Sequence, residues 1–148
     1  MDTKTRADII AIIDATDDMT IATMREDGFP QATTVSYVND GLKIYFGTVA
    51  DGQKARNIAQ NNKVSLTINR PYDNWGEITG LSMGAIATPV TEPEEFDKVG
   101  GLLFQKFPQI PEYTSTETDT LTLFRIDPVV ISLLDYRKGF GFCEMVEV

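Results

Sequence analysis

Short strand-like segments joined by tight glycine turns dominate the first half of the chain. Residues 20–25 and 31–38 flank a turn containing Asp27-Gly28, and Asp-Gly is among the strongest short hairpin signals. A second turn, Asn39-Asp40-Gly41, precedes a third apolar segment, residues 42–46. Because strands joined by such short turns pair antiparallel with their neighbours, this pattern predicts an antiparallel meander.

Three further strand-like regions, the last of them hinged into two segments, and three helices complete what we interpret as one domain, residues 1–148. Gly80 and Gly84 lie inside one of these strands and suggest a bulge or a close backbone approach. The predicted strands are 64–69, 77–91, 121–126 and 129–135, the last two hinged at Asp127-Pro128. The predicted helices are 3–15 with Asp2 as its N-cap, a short one ending near residue 60, and 92–107. About six strands joined mainly by hairpins indicate a mainly β fold, a small β-barrel with peripheral helices, because closure removes exposed strand edges.

Two residue types are scarce enough to exclude whole classes of chemistry. The chain has no histidine, which removes imidazole general bases, Ser-His-Asp nucleophiles and His-ligated heme. Its one cysteine, Cys143, cannot form an intrachain disulfide or a thiolate metal site. We therefore expect a cytoplasmic protein that borrows its reactive group from a cofactor. The formal net charge of −9 argues against nucleic-acid and anionic-membrane partners.

The segment from Thr48 to Arg56 is the first candidate site. If Asp51 caps the following helix, Lys54 lies in its first turn, where the helix dipole disfavours a cation. A bound anion reverses that argument, because backbone N–H groups, the Lys54 ammonium and the Thr48 hydroxyl would converge on one phosphate. The alternative is that Lys54 and Arg56 are solvated and pair with nearby acids.

The strand that contains Thr33, Thr34, Val35 and Ser36 is the second candidate, because it carries polar residues on both faces. It is either an edge or solvent-facing strand, for which threonine is well suited, or a pocket wall facing a flat polar heterocycle. Trp75 either covers a ligand or caps the end of the barrel. Several acidic residues start the helix at 92–107, where they complement the helix dipole and are not interpreted as metal ligands. These are Glu92, Glu94, Glu95 and Asp97.

The order of these motifs resembles the pyridoxamine 5′-phosphate oxidase-like, FMN-binding split-barrel family. The resemblance runs from about Thr20 to the tail, and its most specific parts are the Gly28-x-Pro30 turn and the Thr48-x5-Lys54-Ala-x2-Ile58 segment. It implies a six-stranded antiparallel split barrel that forms a homodimer, with a flavin site at each side of the subunit interface.

The resemblance also implies a role for each candidate residue. Thr48, Gln53 and Lys54 would hold the phosphate of FMN, and the strand from Thr33 to Ser36 would contact the isoalloxazine edge, largely through backbone groups. Trp75 and Tyr136 would belong to the partner chain's side of the pocket. The protein would be an oxidoreductase that passes hydride or electrons to a small molecule or takes them from a donor.

Departures from the family pattern argue against vitamin B6 phosphate as the substrate. The oxidase proper has a basic residue where Tyr37 falls and an Arg- and His-containing C-terminal motif, whereas this tail reads Lys138-Gly-Phe-Gly-Phe142. Gln53 stands where the family often has a second cation. The tyrosines are interpreted as ordinary barrel aromatics. The alternatives are a deazaflavin-dependent reductase and a non-catalytic flavin-binding or stress-response module.

Overall fold

In the computed structural model, which describes residues 1–113 and 121–148, eight strands form one antiparallel sheet. They are β1 (Asp18–Met24), β2 (Pro30–Ser36), β3 (Val38–Asp40), β4 (Lys43–Val49), β5 (Lys63–Asn69), β6 (Thr79–Pro89), β7 (Leu121–Asp135) and β8 (Cys143–Glu147). The order across the sheet is β2-β1-β5-β6-β7-β4-β3, and β8 pairs with the second half of β7.

The sheet curls back toward itself because its two end strands follow each other in the chain. Tyr37 alone separates β2 from β3, yet these strands lie at opposite ends of the strand order. Tyr37 is fully buried, and its hydroxyl donates a hydrogen bond to the carbonyl of Ile13 at 2.6 Å. The inward-facing aliphatic residues of the strands form the main core, with Ile9 and Ile13 of the first helix packed among them.

Four α-helices lie around the sheet within the described residues: α1 (Thr3–Asp14), α2 (Gln53–Gln60), α3 (Pro93–Lys106) and α4 (Ile110–Tyr113). Asp2 caps α1 as predicted, since its carboxylate accepts from the Thr5 N–H at 2.7 Å. Helix α3 covers a second apolar cluster through Val99. None of the helices in the described residues is long and apolar enough to cross a membrane.

The mainly β prediction is confirmed, but the predicted number of strands and several strand bounds were wrong. The second predicted strand is divided at Tyr37 into β2 and β3, and the tail adds β8. The predicted hinge at Asp127-Pro128 does not divide the last strand, because β7 continues through both residues. A β-bulge forms there, in which Val129 is an extra residue opposite Gly84 and Ala85 of β6. Proline is tolerated at such a bulge because the ladder is locally disrupted there. Between α3 and β7 the chain forms α4 and then passes outside the described residues.

Gly80 shows the close approach that a glycine inside a strand predicts. A Cβ added there would lie 2.6 Å from Oδ1 of Asn69 and 3.2 Å from the backbone oxygen of Ile68 on β5. The turn glycines also behave as expected, since Gly28 and Gly41 have positive φ angles of 88° and 60°.

Candidate functional site

Helix α2 begins without a capping side chain. Its N-cap is Gly52 and not Asp51 as predicted, and no capping side chain hydrogen-bonds to the first turn within the described residues. The intrahelical ladder starts with the Arg56 N–H, which donates to the Gly52 carbonyl at 3.1 Å. The N–H groups of the first turn therefore lack helical partners, and no acidic residue lies there to complement the helix dipole.

Lys54 and Thr48 both lie at this end of α2 with unengaged polar groups. Lys54 occupies the first turn and is half-buried, and its ammonium has no hydrogen bond or ion pair with any described residue. Thr48 is on β4, on the same face as the core residue Phe46, and its hydroxyl is equally unengaged within the described residues. A cation, a hydroxyl and free backbone N–H groups are the donor set that binds a phosphate.

Gln53 and Arg56 are engaged with their own helix. The Gln53 Nε2 donates to Oδ1 of Asn57 at 2.7 Å, while the Arg56 guanidinium donates to Oε1 of Gln53 at 3.0 Å and to the Asp51 carbonyl. A polar cleft of about 470 Å³ lies beside Gln53, between α2 and the β1–β2 turn, where Arg25 pairs with Asp27 at 3.0 Å. The alternative, in which Lys54 and Arg56 pair with nearby acids, is not seen among the described residues, and Lys54 is therefore an available cation.

Strand β2 is an edge strand that pairs only with β1 among the described strands. Half of its backbone N–H and C=O groups therefore point away from β1, without a ladder partner. Thr34 and Ser36 are exposed on its outer face, while Thr33 and Val35 are half-buried on its inner face. The interpretation as an edge strand is confirmed. The interpretation as a pocket wall stays a prediction, and the free backbone edge is compatible with it.

Thr33 carries an orphaned polar atom. Its Oγ1 is buried and has no hydrogen-bond partner, the sole such side-chain atom within residues 1–113 and 121–148. Thr33 lies two residues beyond Gln31 on the same face of β2, and Gln31 accepts from Asn57 of α2 at 3.2 Å. Since a buried unpaired hydroxyl is costly, this one is placed to bond a ligand that lies between β2 and α2.

Trp75 and Tyr136 lie in two short 3₁₀ turns, Trp75–Glu77 and Tyr136–Lys138, and meet through Phe140. The Trp75 and Phe140 rings stack with centroids 5.9 Å apart, and the Tyr136 ring meets Phe140 edge-on at 5.3 Å. Trp75 is 67% and Phe140 is 76% exposed, so Trp75 does not close the end of the barrel. Large aromatic faces left in water are typical of a surface that a ligand or partner covers.

A carboxylate fixes the turn that carries Tyr136. Asp135 is buried and accepts from the Nε of Arg137 at 2.8 Å and from its backbone N–H at 3.2 Å. These hydrogen bonds from Arg137 hold the pKa of Asp135 below its ordinary value. The ion pair between Asp135 and Arg137 therefore stabilises the turn that carries Tyr136.

The two halves of the predicted site lie at opposite ends of β1 and do not meet within one chain. Helix α2 contacts the C-terminal end of β1, where Asn57 donates to Thr23. Strand β5 ends at Asn69, and the chain then leads to Trp75. Because Thr67 of β5 pairs with Thr20 of β1, Asn69 lies near the N-terminal end of β1. The phosphate-binding candidates and the aromatic group would have to come from different chains to form one pocket.

The buried tyrosines have structural partners, in agreement with their interpretation as barrel aromatics. The Tyr45 hydroxyl donates to Oε2 of Glu95 at 3.0 Å, and Glu95 also accepts from Arg125 at 3.0 Å. Burial, with the Glu95 contact, raises the pKa of Tyr45 to about 12. Burial likewise raises the pKa of Tyr37. Neither hydroxyl is suited to donate or accept a proton near neutral pH.

Asn57, Gln31 and Phe140 were missed from the sequence as site residues. Asn57 is 2% exposed, and a polar residue among Ala55 and Ile58 on the apolar side of α2 is a signal that could have revealed it. Phe140 lies in the aromatic tail, but its contact with Trp75 depends on the pairing of β6 with β7.

Solved structures share this architecture over almost the whole chain. A conserved hypothetical protein, Rv2991, from Mycobacterium tuberculosis is 25% identical with a TM-score of 0.77, covering 100% of this chain and 92% of that one. General Stress Protein 26 from Bacillus anthracis has a TM-score of 0.74 at 16% identity over 99% of this chain and 100% of that one. A heme binding protein from Mycobacterium smegmatis has a TM-score of 0.79 at 17% identity over 96% of this chain.

This chain spans 56% of the length of the Mycobacterium smegmatis protein. No curated protein sequence matches the chain. Residues 7–135 match the sequence profile of the pyridoxamine 5′-phosphate oxidase family, a range that takes in every strand except β8. The curled antiparallel sheet and this match agree with the family resemblance of the motifs, and the chain belongs to the pyridoxamine 5′-phosphate oxidase family.

Proposed function

We propose that the protein binds FMN and acts as a flavin-dependent oxidoreductase on a small molecule. One observation carries the proposal: Asn57 joins α2, whose first turn is uncapped and carries a Lys54 unpaired among the described residues, to Gln31 on the edge strand β2. This combination supplies phosphate donors and, next to them, unpaired backbone groups that suit the polar edge of a flat heterocycle.

Each residue has a distinct task in this proposal. Lys54, with Gln53 and Thr48 around it, would neutralise the phosphate, and the orphaned Thr33 hydroxyl would bond the cofactor where β2 meets α2. The free edge from Thr34 to Ser36 would orient the ring. FMN supplies the redox chemistry when bound, so the chain itself needs no histidine.

We propose that the flavin sites form between two copies of the chain. Trp75 and Tyr136 lie far from Lys54 along β1, so a partner chain would have to supply them. The outer face of the sheet offers a surface for that partner, because one row of paired positions there carries small uncharged side chains and ends in a methionine. The row is Thr34, Thr20, Thr67, Ser82, Ser132 and Met145.

A flavin titration tests the cofactor proposal. The purified protein is freed of bound ligand and titrated with FMN, riboflavin and the deazaflavin coenzyme F420, with flavin fluorescence as the readout. We expect tight FMN binding and weaker riboflavin binding, since riboflavin lacks the phosphate. Lys54→Ala should weaken FMN binding by more than about tenfold, because charge-assisted phosphate contacts contribute about 1.5–3 kcal/mol.

Lys63→Ala is the matched control, because Lys63 is an exposed lysine at the start of β5. It should leave the affinity for FMN unchanged. Equal affinity of the wild type for FMN and riboflavin would remove the phosphate site. Binding of coenzyme F420 in place of FMN would instead favour the deazaflavin-dependent reductase.

The name of the Mycobacterium smegmatis protein suggests heme as a competing ligand. The absence of histidine excludes His ligation of its iron. A titration with hemin that displaces FMN would contradict the proposal, whereas binding of FMN without electron transfer to any acceptor would favour a non-catalytic flavin-binding or stress-response module.

A further inference from the structure

A cavity of about 640 Å³ lies where the end of β2 meets β4 and the end of α3. Its sheet side contains Val35 and Ser36, the residues proposed to contact the flavin ring, and Gly47, which precedes Thr48. Its helix side contains Leu103, Phe107, Gln109 and Ile110, and Leu121 of β7 completes the lining in the described residues. The cavity therefore adjoins the proposed cofactor site on two strands.

The lining is apolar. Within the described residues, Ser36 and Gln109 are the only lining residues with polar side chains, and neither carries a charge. A cavity of this size is within the usual range for small-molecule sites, which are mostly apolar with a few polar groups for orientation. A charged ligand would lose its hydration here without gaining a partner.

Within the described residues, the helix that borders this cavity offers no free cation to an anionic group. The sequence from Phe107 to Phe124 contains no lysine or arginine. Of the two lysines in α3, Lys98 pairs with Asp40, and the ammonium of Lys106 donates to the carbonyls of Thr16 at 2.7 Å and Tyr37 at 2.9 Å. Both positive charges on the helix that borders the cavity are already engaged.

Gly47 shapes the floor of the cavity. A Cβ added there would lie 3.2 Å from Cδ2 of Leu123 and 3.3 Å from Cδ1 of Leu121. Without a Cβ, the two leucine side chains pack directly against the β4 backbone. This wall of the cavity is therefore aliphatic, which suits an apolar ligand.

We infer that this cavity binds the substrate, and that the substrate is an uncharged, mainly apolar small molecule. The inference rests on the proposed function for the identity of the neighbouring group, but the cavity and its chemistry belong to this chain alone. A preference for an uncharged substrate distinguishes this protein from enzymes whose substrate is a phosphate ester.

A matched pair of probes tests the charge preference by binding alone. The neutral probe is 2-methyl-1,4-naphthoquinone and the anionic probe is 1,4-naphthoquinone-2-sulfonate, each measured by equilibrium dialysis against the protein with and without added FMN. We expect the neutral probe to bind at least about tenfold more tightly, because the sulfonate would be desolvated without a counter-charge. Equal binding, or preference for the sulfonate, would overturn the inference.

The variant Leu103→Trp tests whether the neutral probe binds in this cavity, since the larger side chain would fill the space from the helix side. It should weaken the neutral probe by at least about tenfold and leave FMN affinity within about twofold. Gln105→Trp, at an exposed position of the same helix, is the control and should change neither. Loss of probe binding in both variants, or in neither, would contradict the assignment.

The two proposals fail in different ways. Binding of the neutral probe without any FMN binding would leave the cavity assignment standing and remove the cofactor. Tight FMN binding without a preference for the neutral probe would leave the cofactor proposal standing and remove this inference.

Discussion

The side-chain amide of Asn57 donates a hydrogen bond to Oγ1 of Thr23 at 2.9 Å, and both residues are 2% exposed. The same amide reaches Gln31 on β2 at 3.2 Å, and its carbonyl oxygen accepts from Gln53 at 2.7 Å. One buried side chain thus joins the first turn of α2 to β1 and β2. The Asn57 side chain therefore fixes the position of the phosphate-binding candidates relative to the free edge of β2.

Asn57→Ala is expected to lower both stability and cofactor affinity. Removing the amide leaves the buried Thr23 hydroxyl without its partner, which costs about 1–3 kcal/mol of unfolding free energy. Urea unfolding followed by circular dichroism measures the first effect and FMN titration the second. Gln60→Ala, an exposed position of the same helix, should change neither quantity. Normal stability of Asn57→Ala would show that the amide network does not hold α2.

Tyr37→Phe is expected to loosen α1 from the barrel. The lost hydrogen bond to Ile13 is buried, and among the described residues the Ile13 carbonyl is then left with a longer 3.4 Å contact with the Thr16 N–H. The unfolding free energy should fall by about 0.5–1.5 kcal/mol. Thermal unfolding of this variant is compared with Tyr72→Phe, since Tyr72 is 52% exposed. An equal change in both variants would argue against a specific role of the Tyr37 hydroxyl.

Glu95 should make stability depend on acid pH. Burial alone would raise its pKa, but hydrogen bonds from Arg125 and Tyr45 lower the pKa of Glu95 below the usual 4.5. The folded chain therefore binds fewer protons here than the unfolded chain, so this stabilisation is present above the unfolded pKa and is lost as pH falls through the folded pKa.

The variant Glu95→Gln tests that dependence. Its deficit in unfolding free energy relative to the wild type should be largest near neutral pH and shrink as the pH falls below about 4.5. Urea unfolding over a series of pH values measures the deficit. Glu94→Gln, an exposed acid in the same turn of α3, is the control. A deficit that stays constant with pH would mean that Glu95 contributes through packing and not through its charge.

Mixed dimers test whether two chains share each flavin site. We expect the wild type to be a dimer in light scattering, with twice the 16.4 kDa mass of the chain. If Trp75 serves the partner's Lys54, a dimer of Lys54→Ala with Trp75→Ala chains contains one intact site and one doubly altered site. Mixing the two variants should then restore wild-type FMN affinity in about half of the heterodimer's sites. No recovery, or a monomer that binds FMN tightly, would contradict a shared site.

Local chemistry made much of the fold predictable. Asp2 was recognisable as a cap, and Gly28 and Gly41 as turn residues, because each of these roles depends on neighbours within a few positions. The family was recognisable for a related reason, since its motifs are short and keep fixed spacings such as that between Thr48 and Lys54. The start of α2 at Gly52 in place of Asp51 was not predictable, because an acidic residue is normally the better cap.

The strands that were misjudged depend on partners distant in sequence. The chain continues through Asp127-Pro128 as one strand because β6 pairs with both halves of β7 across a bulge, and the tail forms β8 because β7 offers it an edge. Neither partner can be read from local composition.

For this protein, the sequence by itself determined the antiparallel β class, the segment around Lys54 that we propose to bind a phosphate, and the absence of histidine chemistry. Those properties follow from residue type and short spacing. The tertiary structure decided that Asn57 ties α2 to two strands and that Trp75 lies at the opposite end of β1 from Lys54. It also decided that an uncharged cavity adjoins Val35 and Ser36. These are relations between segments tens of residues apart, and strand register and burial set them only when the chain folds.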